Sequence, residues 1–159
     1  MVNSTKFVNA TVSDVNNTFK VAGEFIGAVG KFSLQGEYFY VQANRKNDLK
    51  KYKAWGTYGQ IGFLAIGDAY EYATSWARLE LPKPGSLELA ARYSCLDLND
   101  EDADILGGQQ QQLTVGCNYY WKKFIRLRLN YNYAHLDKHA LNGKENFNFI
   151  SARIQVFIN

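Results

Sequence analysis

From Ile125 to Tyr133 the chain places an apolar or aromatic residue at every second position. Ile125, Leu127, Leu129, Tyr131 and Tyr133 are separated by Arg126, Arg128, Asn130 and Asn132. Successive side chains of a strand point to opposite faces, so a period of two over this length defines a β-strand with one greasy face and one cationic, amide-bearing face. The run before it repeats the pattern, with Leu113, Val115, Cys117, Tyr119 and Trp121 set against Gln112, Thr114, Gly116, Asn118 and Tyr120. A turn at Lys122 and Lys123 joins the two runs into a hairpin. A chain built from such units is all-β, and which face meets water decides what kind of β protein it is.

The same period recurs along the chain. Residues 6–13 alternate with Val8, Ala10 and Val12 on one side, and residues 19–27 with Phe19, Val21 and Phe25 against Lys20, Ala22 and Glu24. Phe32, Leu34, Tyr38 and Tyr40 oppose Ser33, Gln35 and Glu37; Trp55, Ile61 and Phe63 oppose Tyr58 and Gln60; Leu87, Leu89 and Tyr93 oppose Glu88, Ala90 and Arg92. A final run sets Ile150, Ala152, Ile154, Val156 and Ile158 against Ser151, Arg153 and Gln155. With the hairpin, this predicts about eight strands in one domain over 1–159. Short joints near 29–31 and 122–123 alternate with polar loops at 44–53, 99–108 and 138–146, as in outer-membrane barrels with tight periplasmic turns and long external loops. Residues 67–85 fit least, because Pro82 and Pro84 remove ladder donors. They are expected to form a periplasmic excursion, folded into the barrel as a constriction or left as a short hairpin below the membrane.

Composition excludes several classes. With 47% hydrophobic residues and a net charge of +3, the chain has the makings of a core and is not a disordered segment. No window reaches the roughly 18 consecutive apolar residues of a membrane helix. The mean hydropathy of −0.33 matches a soluble protein, but a barrel whose strands turn half their side chains to a polar lumen gives the same average. Cys95 and Cys117 fall on apolar strand faces and read as small packed or lipid-facing side chains, not as a bridge. The acidic run 97–104 lacks the glycine of a calcium loop, and no Cys/His spacing fits a metal. His135, Asp137 and His139 lie close together without a Ser or Cys nucleophile beside them, so no enzyme and no cofactor are expected. The modest charge is spread out and offers no aromatic-basic platform for nucleic acid. The basic run 44–53 reads as a solvated loop, with an anionic headgroup surface as the alternative. The opening MVNSTKFVNATV lacks the basic and apolar regions of a signal peptide, so either a signal has been removed or the chain is a portion of a longer one.

Two closed architectures share this strand pattern. A soluble lipocalin-like barrel, binding a ligand, turns its apolar set inward; a membrane barrel turns it to lipid. Trp121 at one end of an apolar stripe and Tyr131 and Tyr133 at the opposite end of its neighbour match girdles at two membrane interfaces. The runs GSLELAARYSCLDLND, LTVGCNYYWKKFIRLRLNYNYAHL and SARIQVFI resemble the last strands of the phosphate-selective porin O and P family, and TKFVNA and GKFSLQGEYFYV resemble the strands before them. This resemblance implies an outer-membrane, sixteen-stranded, usually trimeric barrel that passes anions past luminal arginines and lysines, of which this chain holds the C-terminal half. Where barrels of this kind end in an aromatic residue, the chain has Ile158 and Asn159.

Parity then nominates Arg92, Arg126, Arg128 and Arg153 as luminal cations on an anion or phosphate path, with Glu24, Glu37 and Glu88 as counter-charges on the same face. Eight strands enclose a space that side chains just fill, whereas sixteen leave an aqueous channel. The chain alone is therefore expected not to conduct. A second copy or a missing N-terminal half would complete the pore; the alternative is a small closed barrel with a structural or partner-binding role.

Overall fold

The computed structural model describes residues 6–157, with Trp76 as backbone only. Three long strands, β1 (Val15–Val29), β2 (Phe32–Arg45) and β3 (Tyr52–Ile66), are followed by a detour holding the short β4 (Tyr72–Ala73) and β5 (Arg78–Leu79). Four more follow: β6 (Leu87–Asp100), β7 (Ile105–Lys122), β8 (Ile125–Leu136) and β9 (Glu145–Val156). The seven long strands form one antiparallel meander in the order β1-β2-β3-β6-β7-β8-β9. The fold is all-β, as the period of two requires; among the described residues the helical content is a single 3₁₀ turn at Thr74–Trp76. β1 and β9 each have one neighbour, so the described sheet is open at both edges. Turns near Gly30 and at 123–124 lie at one end of the sheet, the turn end; loops 46–51, 101–104 and 137–144 lie at the other, the loop end.

Alternation fixes the faces. Register pairs Val115 with Tyr131 and Tyr131 with Ile150, so apolar side chains line up across strands on one side. That side is the exposed one: Ile150 and Ile154 are each 73% accessible, Ile61 58% and Phe25 56%. A continuous apolar face this open is unfavourable in water and is the surface a barrel shows to hydrocarbon. The soluble, lipocalin-like alternative is thereby corrected, since it needs this face as its core. The Tyr38 and Trp55 rings stack 6.3 Å apart toward the loop end, and Trp121 stands exposed at the turn end. Phe25 lies over its cross-strand partner Gly36, where a Cβ would sit 2.6 Å from the ring, so the glycine makes room for an aromatic lid on the outer face.

The opposite face is concave. Near the loop end it is packed: Ala43, Tyr52, Ala54 and Ala103 form a core with Ala10, Val12, Val41, Leu98 and Ile105 against it. An apolar groove of about 580 Å³, lined by Ala22, Phe39, Ala54 and Leu96 among others, continues this surface downward.

Three sequence expectations are corrected. Residues 6–13 do not form a strand, so the described residues form seven long strands in place of about eight. The segment instead crosses the sheet at its loop end, where Asn9 N–H donates to Gly107 O, Leu141 N–H donates to Phe7 O and the Phe7 ring meets Phe147 at 4.9 Å. The acidic run is not a long loop. β6 and β7 extend through it to a turn at 101–104, where Asp104 adopts a left-handed φ of 56°. Polar residues at 15–17 and 145–148 likewise extend β1 and β9 beyond their apolar stretches. The expectation about Ile158 and Asn159 lies outside the described residues.

Candidate functional site: a cationic cleft on the concave face

Cross-strand register assembles the site row by row. One row reads Gln35, Gln60, Arg92, Thr114 from β2 to β7; another reads Glu88, Asn118, Arg128, Arg153 from β6 to β9. Arg126 stands one step toward the turn end, opposite Tyr120 on one side and Gln155 on the other. Most of these residues border a cleft of about 440 Å³, lined by Gln35, Gln60, Glu88, Arg92, Asn118, Arg126 and Arg128; Arg153, exposed on the edge strand β9, lies outside its lining. The detour between β3 and β6 contributes Tyr70 and residues 79–82 to the same cleft.

The arginines are not neutralised by the glutamates of their face. Arg128 and Arg153 are directly opposed across β8 and β9, a juxtaposition of like charge that destabilises a strand pair. Among the described residues no ion pair joins Arg92, Arg126, Arg128 or Arg153 to Glu24, Glu37 or Glu88. Arg92 stacks its guanidinium 3.7 Å from the centre of the Tyr58 ring, and Arg126 lies between the rings of Tyr120 and Phe157 at 5.4 and 5.3 Å. The Nε atoms of Arg126 and Arg128 are buried without a hydrogen-bond acceptor. A buried donor without an acceptor is costly, and an anion would satisfy these two.

The three glutamates divide. Glu24 and Glu37 face each other on β1 and β2, with β3, β6 and β7 intervening before β8. Glu88 is buried and accepts three hydrogen bonds from neutral donors: Tyr70 Oη at 2.5 Å, Asn118 Nδ2 at 2.7 Å and Tyr120 Oη at 2.9 Å. It serves as an anchor for the detour. Burial, reinforced by the bond to Glu88, pushes the Tyr70 phenol well above its ordinary range, so it stays a donor. Tyr70 N–H also donates to Gly30 O at 2.9 Å, and β5 comes to lie beside β1.

Tyr70 and residues 79–82 were not among the residues nominated by parity, since the detour breaks the alternation that parity needs; Tyr120 shares the inward parity of Asn118 on β7 and carries no charge that would nominate it. One signal was available, Gly62 on a concave position of β3. A Cβ there would collide with Ser33 Oγ and come within 2.8 Å of Tyr70 Oη and 3.1 Å of Glu88 Oε1. The glycine is the space through which the tyrosine reaches the carboxylate.

Toward the loop end the arginine rows pass into an amide ladder, in which Gln112 Nε2 and Thr114 Oγ1 both donate to Asn132 Oδ1 at 3.1 and 2.9 Å. His135 pairs with Asn146, and Asp137 accepts from Asn99 Nδ2 at 2.8 Å and from the His139 backbone N–H at 3.1 Å. These three candidates of the sequence brace the loop between β8 and β9. Among the described residues no group of three or more His, Cys, Asp or Glu side chains is placed to hold a metal ion.

A meander that shows apolar side chains outward between aromatic ends, and a cationic, amide-lined face inward, is the wall of a transmembrane β-barrel. The family model of phosphate-selective porin O and P matches residues 2–158, and the chain belongs to that family of outer-membrane porins. It is 25% identical to Porin O of Pseudomonas aeruginosa over 124 residues, covering 70% of this chain and 28% of that protein. It is 32% identical to an uncharacterized protein of Caulobacter vibrioides over 90 residues, 52% of this chain and 17% of that one. The matches thus cover less than a third of the length of either relative.

Proposed function

We propose that this chain forms part of the wall of an anion-selective outer-membrane channel, with phosphate as the class of solute and Arg92, Arg126, Arg128 and Arg153 along its path. The observation that carries the reading is the Arg128 and Arg153 pair, two arginines in register on the concave face with, among the described residues, no carboxylate in an ion pair with either. Guanidinium keeps its charge at any working pH and offers a planar fork of donors that fits phosphate oxygens. The like-charge opposition that destabilises the empty sheet is relieved each time an anion passes. Tyr70 and residues 79–82, standing over the same cleft, narrow the path there and act as its constriction.

Seven strands do not enclose a water-filled lumen, and among the described residues both edges of this sheet are unpaired, so conduction requires further strands. Planar bilayer recording tests both parts. The pure chain is expected to give no steady current steps; anion-selective steps from it alone would overturn the incompleteness. In the completed pore, replacing Arg128 and Arg153 by glutamine is expected to shift the reversal potential toward that of an unselective pore. An unchanged reversal potential would remove the arginines from the path.

A further inference from the structure

Three successive concave rows cross β6, β7 and β8. The first holds Glu88, Asn118 and Arg128, the second Ala90, Gly116 and Asn130, and the third Arg92, Thr114 and Asn132. The small side chains of Ala90 and Gly116 form a floor between two polar banks, and the cleft is the space above it. From Glu88 to Arg92 is four residues along β6, so the banks stand about 13 Å apart at roughly 3.3 Å per residue. The cleft's 440 Å³ equals about fifteen water volumes of roughly 30 Å³. A phosphate ion, with four oxygens, replaces only about four of them.

The two banks differ in chemistry. At the first, the Nε donors of Arg126 and Arg128 are buried without an acceptor on neighbouring inward positions of β8, which suits an anion. On the floor and the far bank the lining is chiefly neutral, with Gln35, Gln60, Thr114 and Asn130. Arg92 is already engaged there by the Tyr58 ring at 3.7 Å. Among the described residues, the side-chain amides of Gln35, Gln60 and Asn130 have no hydrogen-bond partner. Each amide presents an acceptor oxygen beside its donors. That oxygen has nothing to offer a bare phosphate, but it matches a hydroxyl, which donates and accepts at once. Glu80 of the detour, 3.9 Å from Arg78, adds a further acceptor to the lining.

Resting on the anion-path reading, we propose that the cleft is a binding site for the phosphate monoester of a polyhydroxy compound, a sugar phosphate in chemical class. The phosphoryl group takes the Nε donors of Arg126 and Arg128. The hydroxyl-bearing carbons lie across Ala90 and Gly116, with their hydroxyls on Asn130, Thr114 and the Gln60 and Gln35 amides. Inorganic phosphate fills the first bank only and leaves the second to water, so the ester is held more tightly.

The cleft is built from strands of this chain, so binding is measured on the full chain folded in detergent, with its fold checked by heat-modifiable gel mobility. Isothermal titration calorimetry at about pH 8, where a phosphate monoester carries two charges, compares glucose 6-phosphate, inorganic phosphate, phenyl phosphate and glucose. Glucose 6-phosphate is expected to bind about tenfold or more tightly than inorganic phosphate, and than phenyl phosphate, which has no hydroxyls. Gln60→Leu is expected to lower that preference about fivefold, the worth of one net hydrogen bond. Ala90→Val, which raises the floor and removes no polar group, is expected to lower it as well. If either variant does not fold, Asn130→Ala reads the same preference. Inorganic or phenyl phosphate bound as tightly as glucose 6-phosphate, or a preference unchanged in the folded variants, overturns the proposal and leaves the anion path standing. Glucose bound as tightly as its phosphate, or none of the four bound, overturns both.

Discussion

Toward its loop end the concave face is a packed apolar surface; toward its turn end it is a hydrogen-bonded, cationic one. Both are made by the same strands with the same outward-facing apolar residues, so what differs is only the inward-facing half of each alternation. At the loop end that half is Ala54, Phe39 and Leu96, with Ala10 and Val12 of the crossing segment packed beyond them against Ala54 and its neighbours. At the turn end it is Gln60, Glu88 and Arg92, with the detour standing over a cleft that remains open. The contrast teaches that one end is held by removing apolar area from water and the other by satisfying polar groups one at a time.

If burial holds the loop end, Tyr52 is its largest buried contributor, and Tyr52→Ala should lose about 3–5 kcal/mol, the range for a buried aromatic. Tyr52→Phe forfeits only the bond from its hydroxyl to Leu98 O and should lose about 1 kcal/mol. Urea unfolding in detergent, followed by tryptophan fluorescence, measures both; equal losses would mean that hydrogen bonding, not burial, holds this end. At the turn end the ranking reverses, with the carboxylate dominant. Glu88→Ala leaves Tyr70, Asn118 and Tyr120 without their acceptor and should cost about 2–3 kcal/mol, while opening residues 67–85 to protease. Glu88→Leu protected from protease as well as the parent would show that the detour is held by packing instead. Gly62→Ala should be smaller, about 1–2 kcal/mol, because the new methyl displaces the end of the Tyr70 side chain and leaves the sheet intact. Protease access to the detour with unchanged tyrosine contacts at Tyr52 is the expected signature.

The smallest effect is at the loop between β8 and β9. Burial acts to raise the Asp137 carboxyl, but hydrogen bonds from the Gln109 backbone, Asn99 and the His139 backbone, with the charge of His139, hold it below the ordinary value of 3.8. A depressed folded value contributes stability that is present above the unfolded value and is lost as pH falls through the folded one. Loop protection from hydrogen exchange should therefore be flat above about pH 5 and decline as acid approaches pH 3. Asp137→Asn should remove that decline; a decline that persists in Asp137→Asn belongs to another carboxyl.

The sequence discloses most of this where one residue's environment repeats two positions on. Ile125 to Tyr133 shows its strand, its lipid face and the inward direction of Arg126 and Arg128 without any coordinates, because burial and strand geometry share a period there. At residues 6–13 the period is also genuine, yet it misleads. Val8 and Ala10 alternate because they rest on Gly108 and Gly107 at the loop end, so the pattern reports burial and not a ladder. The opposite error occurs at Gln109 to Gln112 and at 99–100, where strands leave the apolar zone: a ladder persists there, but nothing forces its side chains to alternate in polarity. Glu88 was legible as an inward carboxylate, but its role was not, since its partner Tyr70 comes from the one segment whose prolines and irregular spacing hide its path.

Every long strand hydrogen-bonds to the long strand that comes next along the chain. Such a sheet can grow one hairpin at a time, each step closing a short loop at little entropic cost, and the detour only lengthens one of those loops. The crossing segment is different. Its contacts at Gly107, Leu141 and Phe147 tie the first described residues to strands made last, so they are the costliest closures in the molecule and wait for β7, β8 and β9 to be in place. The segment thus works as a clasp fastened after the sheet has formed, and its protection should be the last to develop during refolding.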